Sequence, residues 1–225
     1  GENYYVFSEK RGGRLLYWFD LKRGIEIVGG EIGLQLDENY YDGNIQIRPF
    51  SFSDFIRFLN GNDQFIEYFS KNSYFVRTGG LNEKVLYKNQ EGNISEIFNA
   101  STISKLENNK IEFNVGEFKK VITFVNDGIK VEYKLPEKAE GIVIESEFQP
   151  DYFTILNRGI NALEMHKEKN KTIIYNKVSN IGAEIKYRNE KSIKTDYSLF
   201  GIINSVEFGK GNQLIEIKKI INKKI

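Results

Sequence analysis

Acid–base chemistry in this chain would have to start from a single imidazole. His166 is the only histidine, in the run Glu164-Met165-His166-Lys167-Glu168. One histidine rules out a two-histidine zinc site within the chain, and a Ser-His-Asp triad would have to be built on His166. The charged run around it reads instead as a solvated surface. Glu145 and Glu147 stand two apart on an expected strand and so share a face. Paired carboxylates cleave glycosidic bonds when their separation suits a retaining or inverting course, and here the opposing member would have to come from elsewhere. Ile144 and Phe148 lie on the other phase, which makes Glu145 and Glu147 the solvent side of a strand with an apolar core side. Asp37, Asn39 and Asp42 offer oxygens for calcium, but the EF-hand loop requires glycine sixth and glutamate twelfth. Gly43 falls seventh and Arg48 twelfth, so that motif fails. Gly29-Gly30 and Gly79-Gly80 read as turns rather than phosphate cradles. The sequence therefore carries no recognisable catalytic set, metal motif or cofactor motif.

The aromatic residues are more suggestive. With 17 Phe, 13 Tyr and one Trp, far more rings are present than polar loops ordinarily hold. Most must be core, because Phe and Tyr fit pleated, half-buried surfaces. Tyr40, Tyr41 and Asp42, however, sit in a polar loop, and Asp151 and Tyr152 follow Pro150. Tyrosines beside carboxylates suit sugars, whose C–H faces stack on rings while hydroxyls bond to a polar rim. The same residues also suit plain lids on the end of a sandwich. Trp18 is a further candidate, although a lone tryptophan within LLYWFD is more often core.

The elements that would position these groups are mostly strands. In the stretch 110–148, two β-rich runs at 121–125 and 129–134 flank Asn126-Asp127-Gly128. Asp-Gly is a tight-hairpin signal because a primed turn needs positive φ, which glycine accepts. With the alternating runs on either side, the stretch reads as four consecutive antiparallel strands that need a second layer. Further strands are expected at 4–7, 15–19, 25–28, 74–77, 85–87, 172–175, 183–187, 199–203 and 214–220, while Leu34 and Leu36 lead into the polar aromatic loop LDENYYDGN. A short helix is expected from Ser51 or Ser53, with Phe55, Phe58 and Leu59 on one face and Gly61 past its end. Phe65, Tyr68 and Phe69 fit either a second helical turn or a strand. The Ser/Asn-rich stretch 94–106 reads as irregular. No linker or repeat divides residues 1–225, so a single all-β domain, an antiparallel β-sandwich with one or two helical turns, is expected.

Composition bounds the partners. The 225 residues carry 32 basic and 31 acidic side chains, net +1, which gives no field for nucleic acid or an anionic membrane. No apolar run approaches the roughly 20 residues of a membrane helix. Cysteine is absent, which excludes disulfides and leaves the compartment open. Abundant Lys, Glu and Ile with a single Met point to a thermophilic source. The chain starts Gly1-Glu2-Asn3, which suggests a domain excised from a larger enzyme or a processed product.

Three stretches in this order, YYVFSEKRGGRLLYWFDLKRGIEIVGG, RPFSFSDFIRF and the strands ending EFQPDYF, resemble the β-sandwich domain behind the catalytic barrel of family 57 glycoside hydrolases, the α-amylases and 4-α-glucanotransferases. The resemblance spans most of the chain and implies a galactose mutarotase-like supersandwich. It also implies a catalytic barrel of the same polypeptide as partner and α-glucan as a possible contact. The family's catalytic glutamate and aspartate lie on its barrel and match nothing here. The same fold houses aldose epimerases, whose histidines and glutamate cannot be supplied by His166 alone. The alternatives are a stand-alone carbohydrate-binding or cell-surface module and a ligand-free structural domain.

Overall fold

The structure is a computed structural model that describes residues 2–9, 12–28, 32–36, 73–77, 80–87, 94–96, 103–151, 154–155, 158, 160–197, 201–211 and 213–222. Strands dominate them: β1 Asn3–Ser8, β2 Arg14–Asp20, β3 Ile25–Val28, β4 Ile32–Leu36, β5 Ser73–Arg77, β6 Gly80–Tyr87, β7 Ile94–Glu96, β8 Ile103–Glu107 and β9 Lys110–Val115. Then follow β10 Phe118–Val125, β11 Gly128–Lys134, β12 Ala139–Phe148, β13 Leu163–Glu168, β14 Lys171–Asn176, β15 Ile181–Arg188, β16 Glu190–Tyr197, β17 Ile202–Phe208 and β18 Gln213–Ile221. Described helix is limited to Thr154, Ile155 and Arg158, a 3-10 position at Glu9 and a 3-10 turn at Ile160–Ala162. The helix expected from Ser51 or Ser53 lies outside the described residues.

An eight-stranded sheet in the order β13-β14-β15-β18-β11-β10-β9-β8 faces a five-stranded sheet, β16-β17-β12-β6-β7. Every strand pair in both is antiparallel. The strand period of two sets what lies between them. On the large sheet, Ile122, Val131, Ile215 and Tyr187 are successive register partners, as are Ile129, Ile217 and Ile185. Opposite them, Ile142, Ile144 and Phe148 of β12 pair with Phe208, Val206 and Ile202 of β17. All of these are buried in one continuous core, which makes the fold a two-layer β-sandwich. A three-stranded sheet, β1-β2-β3, adds a further patch of layer. From it Tyr5 reaches Phe124 at 5.2 Å and Phe7 reaches Phe113 at 5.8 Å between ring centroids. Strands β4 and β5 pair separately.

Three expectations are corrected. The four strands in 110–148 do not form one meander. Strands β9, β10 and β11 do, but Leu135-Pro136 interrupts the chain and β12 joins the opposite sheet, while β18 takes the open edge of β11. The hairpin between β10 and β11 turns on Asn126-Asp127, since Val125 pairs with Gly128. Gly128 has no positive φ; it is required because a Cβ would collide with the Ile217 carbonyl of β18. Finally, 94–106 is not irregular throughout: β7 and β8 lie in or at the end of it, and β8 turns into β9 through Asn108 at φ 49°.

Candidate functional site

Two ionic clusters occupy the interior. Lys120 lies on the inner face of β10, fully buried, where its ammonium donates to Glu83 Oε1 of the opposite sheet at 2.7 Å. The Tyr133 hydroxyl donates to the same oxygen at 3.1 Å, and the Lys120 ammonium sits 5.5 Å from the Phe113 ring centroid. Burial pulls the Lys120 pKa down against the opposing pull of Glu83, and burial followed by Glu83 pushes the Tyr133 phenol well above its usual range. The cluster bridges the two sheets.

The second cluster ties the three-stranded sheet to β18. Asp20, buried at the end of β2, accepts from Lys219 Nζ at 2.9 Å and from Arg23 at 2.9 Å, and also takes the backbone N–H groups of Lys22 and Arg23. Lys219 also donates to Asn3 Oδ1, which accepts the Trp18 indole N–H at 3.1 Å. Burial alone would raise Asp20, but the bonds from Lys219 and Arg23 outweigh it and hold the carboxyl below its ordinary range.

The outer face of the eight-stranded sheet is solvated by paired charges: Lys119 with Glu112 at 2.6 Å, Lys218 with Glu216 at 3.2 Å and Lys186 with Glu184 at 3.1 Å. Two shallow polar grooves of about 550 and 480 Å³ meet on it at Arg188, Asn189 and Leu214, the first flanked by Lys119, Lys134 and Glu132. The face of the three-stranded sheet on the phase opposite to Trp18 carries Tyr4, Tyr17 and Phe19 and, in register with Phe19 on β3, the 7%-exposed Glu26. Tyr4 and Phe19 are cross-strand partners with centroids 6.4 Å apart, and Tyr17 stacks on Phe19 at 5.7 Å with planes 22° apart.

The residues singled out from sequence are scattered. Trp18 is fully buried among Tyr5 and the core, its ring 5.3 Å from that of Tyr5, and it offers no open face. Asp151, at φ 56°, hydrogen-bonds Thr154 through both the backbone N–H at 3.3 Å and the hydroxyl, so its carboxylate holds the short helical turn. Tyr40, Tyr41, Asp42 and Tyr152 lie outside the described residues. Glu145 and Glu147 lie on β12, in register with Ser205 and Ile203 of β17. His166 lies on the edge strand β13, half-exposed, with Nε2 3.9 Å from Glu164. Among the described residues no group of three or more His, Asp or Glu is placed to hold a metal ion, and no helix is long and apolar enough to cross a membrane. The aromatic face went unnoticed because Tyr4, Tyr17 and Phe19 read as ordinary strand residues. Their signal is cross-strand: two alternating aromatic runs joined through Gly12-Gly13 place same-phase rings side by side.

Fold and surface together define a two-layer antiparallel β-sandwich with structural ion pairs inside. No protein-family profile matches the chain, and no curated protein matches it in sequence. Among solved structures it is similar to a 4-α-glucanotransferase from Thermococcus litoralis, at 10% identity and a TM-score of 0.49, over 95% of this chain and 35% of that one. It is also similar to the Slr1438 protein from Synechocystis sp. PCC 6803, at 7% identity and a TM-score of 0.54, over 98% of this chain and 92% of that one. The chain thus spans about a third of the glucanotransferase, and the likeness to the Synechocystis protein is one of fold alone.

Proposed function

We propose that this chain is a non-catalytic accessory β-sandwich domain, of galactose mutarotase-like type, belonging to a family 57 glycoside hydrolase or glucanotransferase. It packs against the catalytic barrel of the same polypeptide and contacts α-glucan. The observation that carries the reading is the use made of the interior acids. Glu83 and Asp20 are each held in hydrogen-bonded ion pairs that join one sheet to another, Glu83 to Lys120 and Asp20 to Lys219. Such groups serve as struts, without the open cleft that a general acid or nucleophile requires. The resemblance of YYVFSEKRGGRLLYWFDLKRGIEIVGG to the start of the family's sandwich domain adds support: it folds as a bulged hairpin across Gly12-Gly13 with β3 alongside.

The test is the full-length polypeptide that carries this chain, assayed on maltoheptaose with and without residues 1–225. Glucan transfer or hydrolysis by the whole polypeptide, with a lower melting temperature for its catalytic part once the domain is removed, is the expected result. A full-length product without α-glucan activity, or a catalytic part whose stability ignores the deletion, would contradict it.

A further inference from the structure

We propose that the open edge of β8 pairs with the same edge of a second copy of this chain, antiparallel and two-fold about Leu106. This goes beyond the accessory-domain reading and does not rest on it. β8 ends the eight-stranded sheet, and among the described residues no strand pairs with its outer side. Leu106, 70% exposed, is the most exposed large apolar side chain among the described residues. On the far side of the sandwich the edge strands are tied to each other, since Lys167 of β13 donates to the Ile193 carbonyl of β16 at 2.6 Å. Which backbone groups of β8 are open follows from its turn. Glu107 pairs with Lys110 across the two residues Asn108-Asn109, and the pair that closes a two-residue hairpin exchanges both of its hydrogen bonds. Alternation then turns the N–H and C=O of Lys105 and Glu107 to β9 and those of Leu106 to the open side. An edge of this kind is a template for another strand.

The charges on the edge select the occupant. With Leu106 opposite the partner's Leu106, Lys105 meets the partner's Glu107 and Glu107 meets the partner's Lys105, in the closely spaced pairs that exchange no hydrogen bond. Within one chain Lys105 is in register with Glu112, and Glu107 with Lys110. Across the joint the outer row therefore reads Glu112, Lys105, the partner's Glu107 and the partner's Lys110, with the sign alternating at every step. Sliding the second copy by two residues either way sets Lys105 on the partner's Lys105 or Glu107 on the partner's Glu107, so the register is specified. Charges on this edge thus turn away strands of other sequence and admit a second copy of this one. The inner face agrees: Leu106 continues the row of Ile122 and Ile111, and pairing joins it to the same row of the second copy. Lys105 and Glu107 now pair with each other at 2.5 Å in full solvent, and both stay on the solvated face when they exchange partners. The 5 residues of β8 make a strip about 17 Å long and one strand wide, well short of the roughly 800 Å² per partner of a stable dimer, so the association is reversible.

The test is sedimentation of the 225-residue chain at concentrations from about 10 μM to about 1 mM. The expected result is a reversible monomer–dimer equilibrium. Lys105→Glu and Glu107→Lys should each weaken it about tenfold or more, because each sets like charges opposite one another. An equimolar mixture of the two variants should recover the affinity as a heterodimer, since an acidic edge then faces a basic one. Both side chains are exposed, so neither change should move the melting temperature. The chain has no cysteine, so Leu106→Cys supplies a single thiol, and the two-fold pair brings two of them within disulfide reach. Oxidation with diamide should cross-link Leu106→Cys and leave Val178→Cys, at a comparable 50% exposure, uncross-linked. A chain that is monomeric at every concentration, or that dimerises regardless of both charge variants, would overturn the pairing. So would a mixture no tighter than the single variants, or Val178→Cys that cross-links as readily as Leu106→Cys.

Discussion

Lys120 and Asp20 sit at 0% exposure, and each is held there by a partner from another sheet. A buried ion pair of this kind adds little net stability, because desolvation offsets attraction, yet removing one partner strands the other. Lys120→Met should therefore cost about 3–5 kcal/mol in denaturant unfolding. Lys120→Met combined with Glu83→Gln, which removes both charges and keeps an acceptor for Tyr133, should recover at least half of that. A double variant as unstable as the sum of its parts would show that the pair is not coupled. None of this could be read from the sequence. Lys120 stands in Phe118-Lys119-Lys120-Val121, where nothing marks which lysine faces inward; the β10 register decides, and that depends on Glu83, 37 positions away. Asp20 is equally silent, since its partner Lys219 is 199 residues distant.

At the scale of elements, alternation made most strands legible, whereas the partner of each strand was not. Runs such as Ile129, Val131 and Tyr133 announce a half-buried strand, but Pro136 only marks a break and does not say that β12 crosses to the other sheet. β8 was missed because Lys105 and Glu107 blunt it as an edge strand, and its turn uses Asn108-Asn109 rather than glycine. β13 was missed for the same reason: its charges face solvent and it forms an edge of the large sheet. The aromatic stripe escaped notice because it depends on the pairing of β1 with β2 across a bulge.

The glycines at close approaches make a graded test. Gly13 has φ 69° and a Cβ there would run into the Phe113 ring, while Gly24 has φ 66° with nothing within 4 Å. Gly24→Ala should cost about 1 kcal/mol, from backbone strain alone. Gly13→Ala should cost about 2–4 kcal/mol, strain plus the displacement of a core ring. Equal melting temperatures for the two variants would contradict the packing of the three-stranded sheet on β9.

For the whole molecule, the shifted groups set a stability plateau. Asp20 and Glu112 have folded pKa values below their ordinary 3.8 and 4.5, so their contribution is present above those values and is lost as pH falls through the lower folded ones. Tyr133 and Tyr187 are buried and Tyr5 partly so, and all three are raised above 10.0, so the stability they contribute is complete below pH 10.0 and declines as pH rises further. Lys120, lowered from 10.5 by burial, acts the opposite way. Chemical denaturation across pH should show a plateau from about 5 to 9 with losses on both sides. Asp20→Asn should lower the plateau and flatten its acid limb. An unchanged acid limb would mean that Asp20 is not held as described.

The proposed role is that of a sandwich that serves an enzyme without performing its chemistry. The most direct measurement is reducing-sugar release and chain-length redistribution when the purified 225-residue chain is incubated with maltoheptaose. The account predicts no turnover, with bound sugar recovered intact. Steady turnover that is abolished by Glu145→Gln or Glu147→Gln would contradict it.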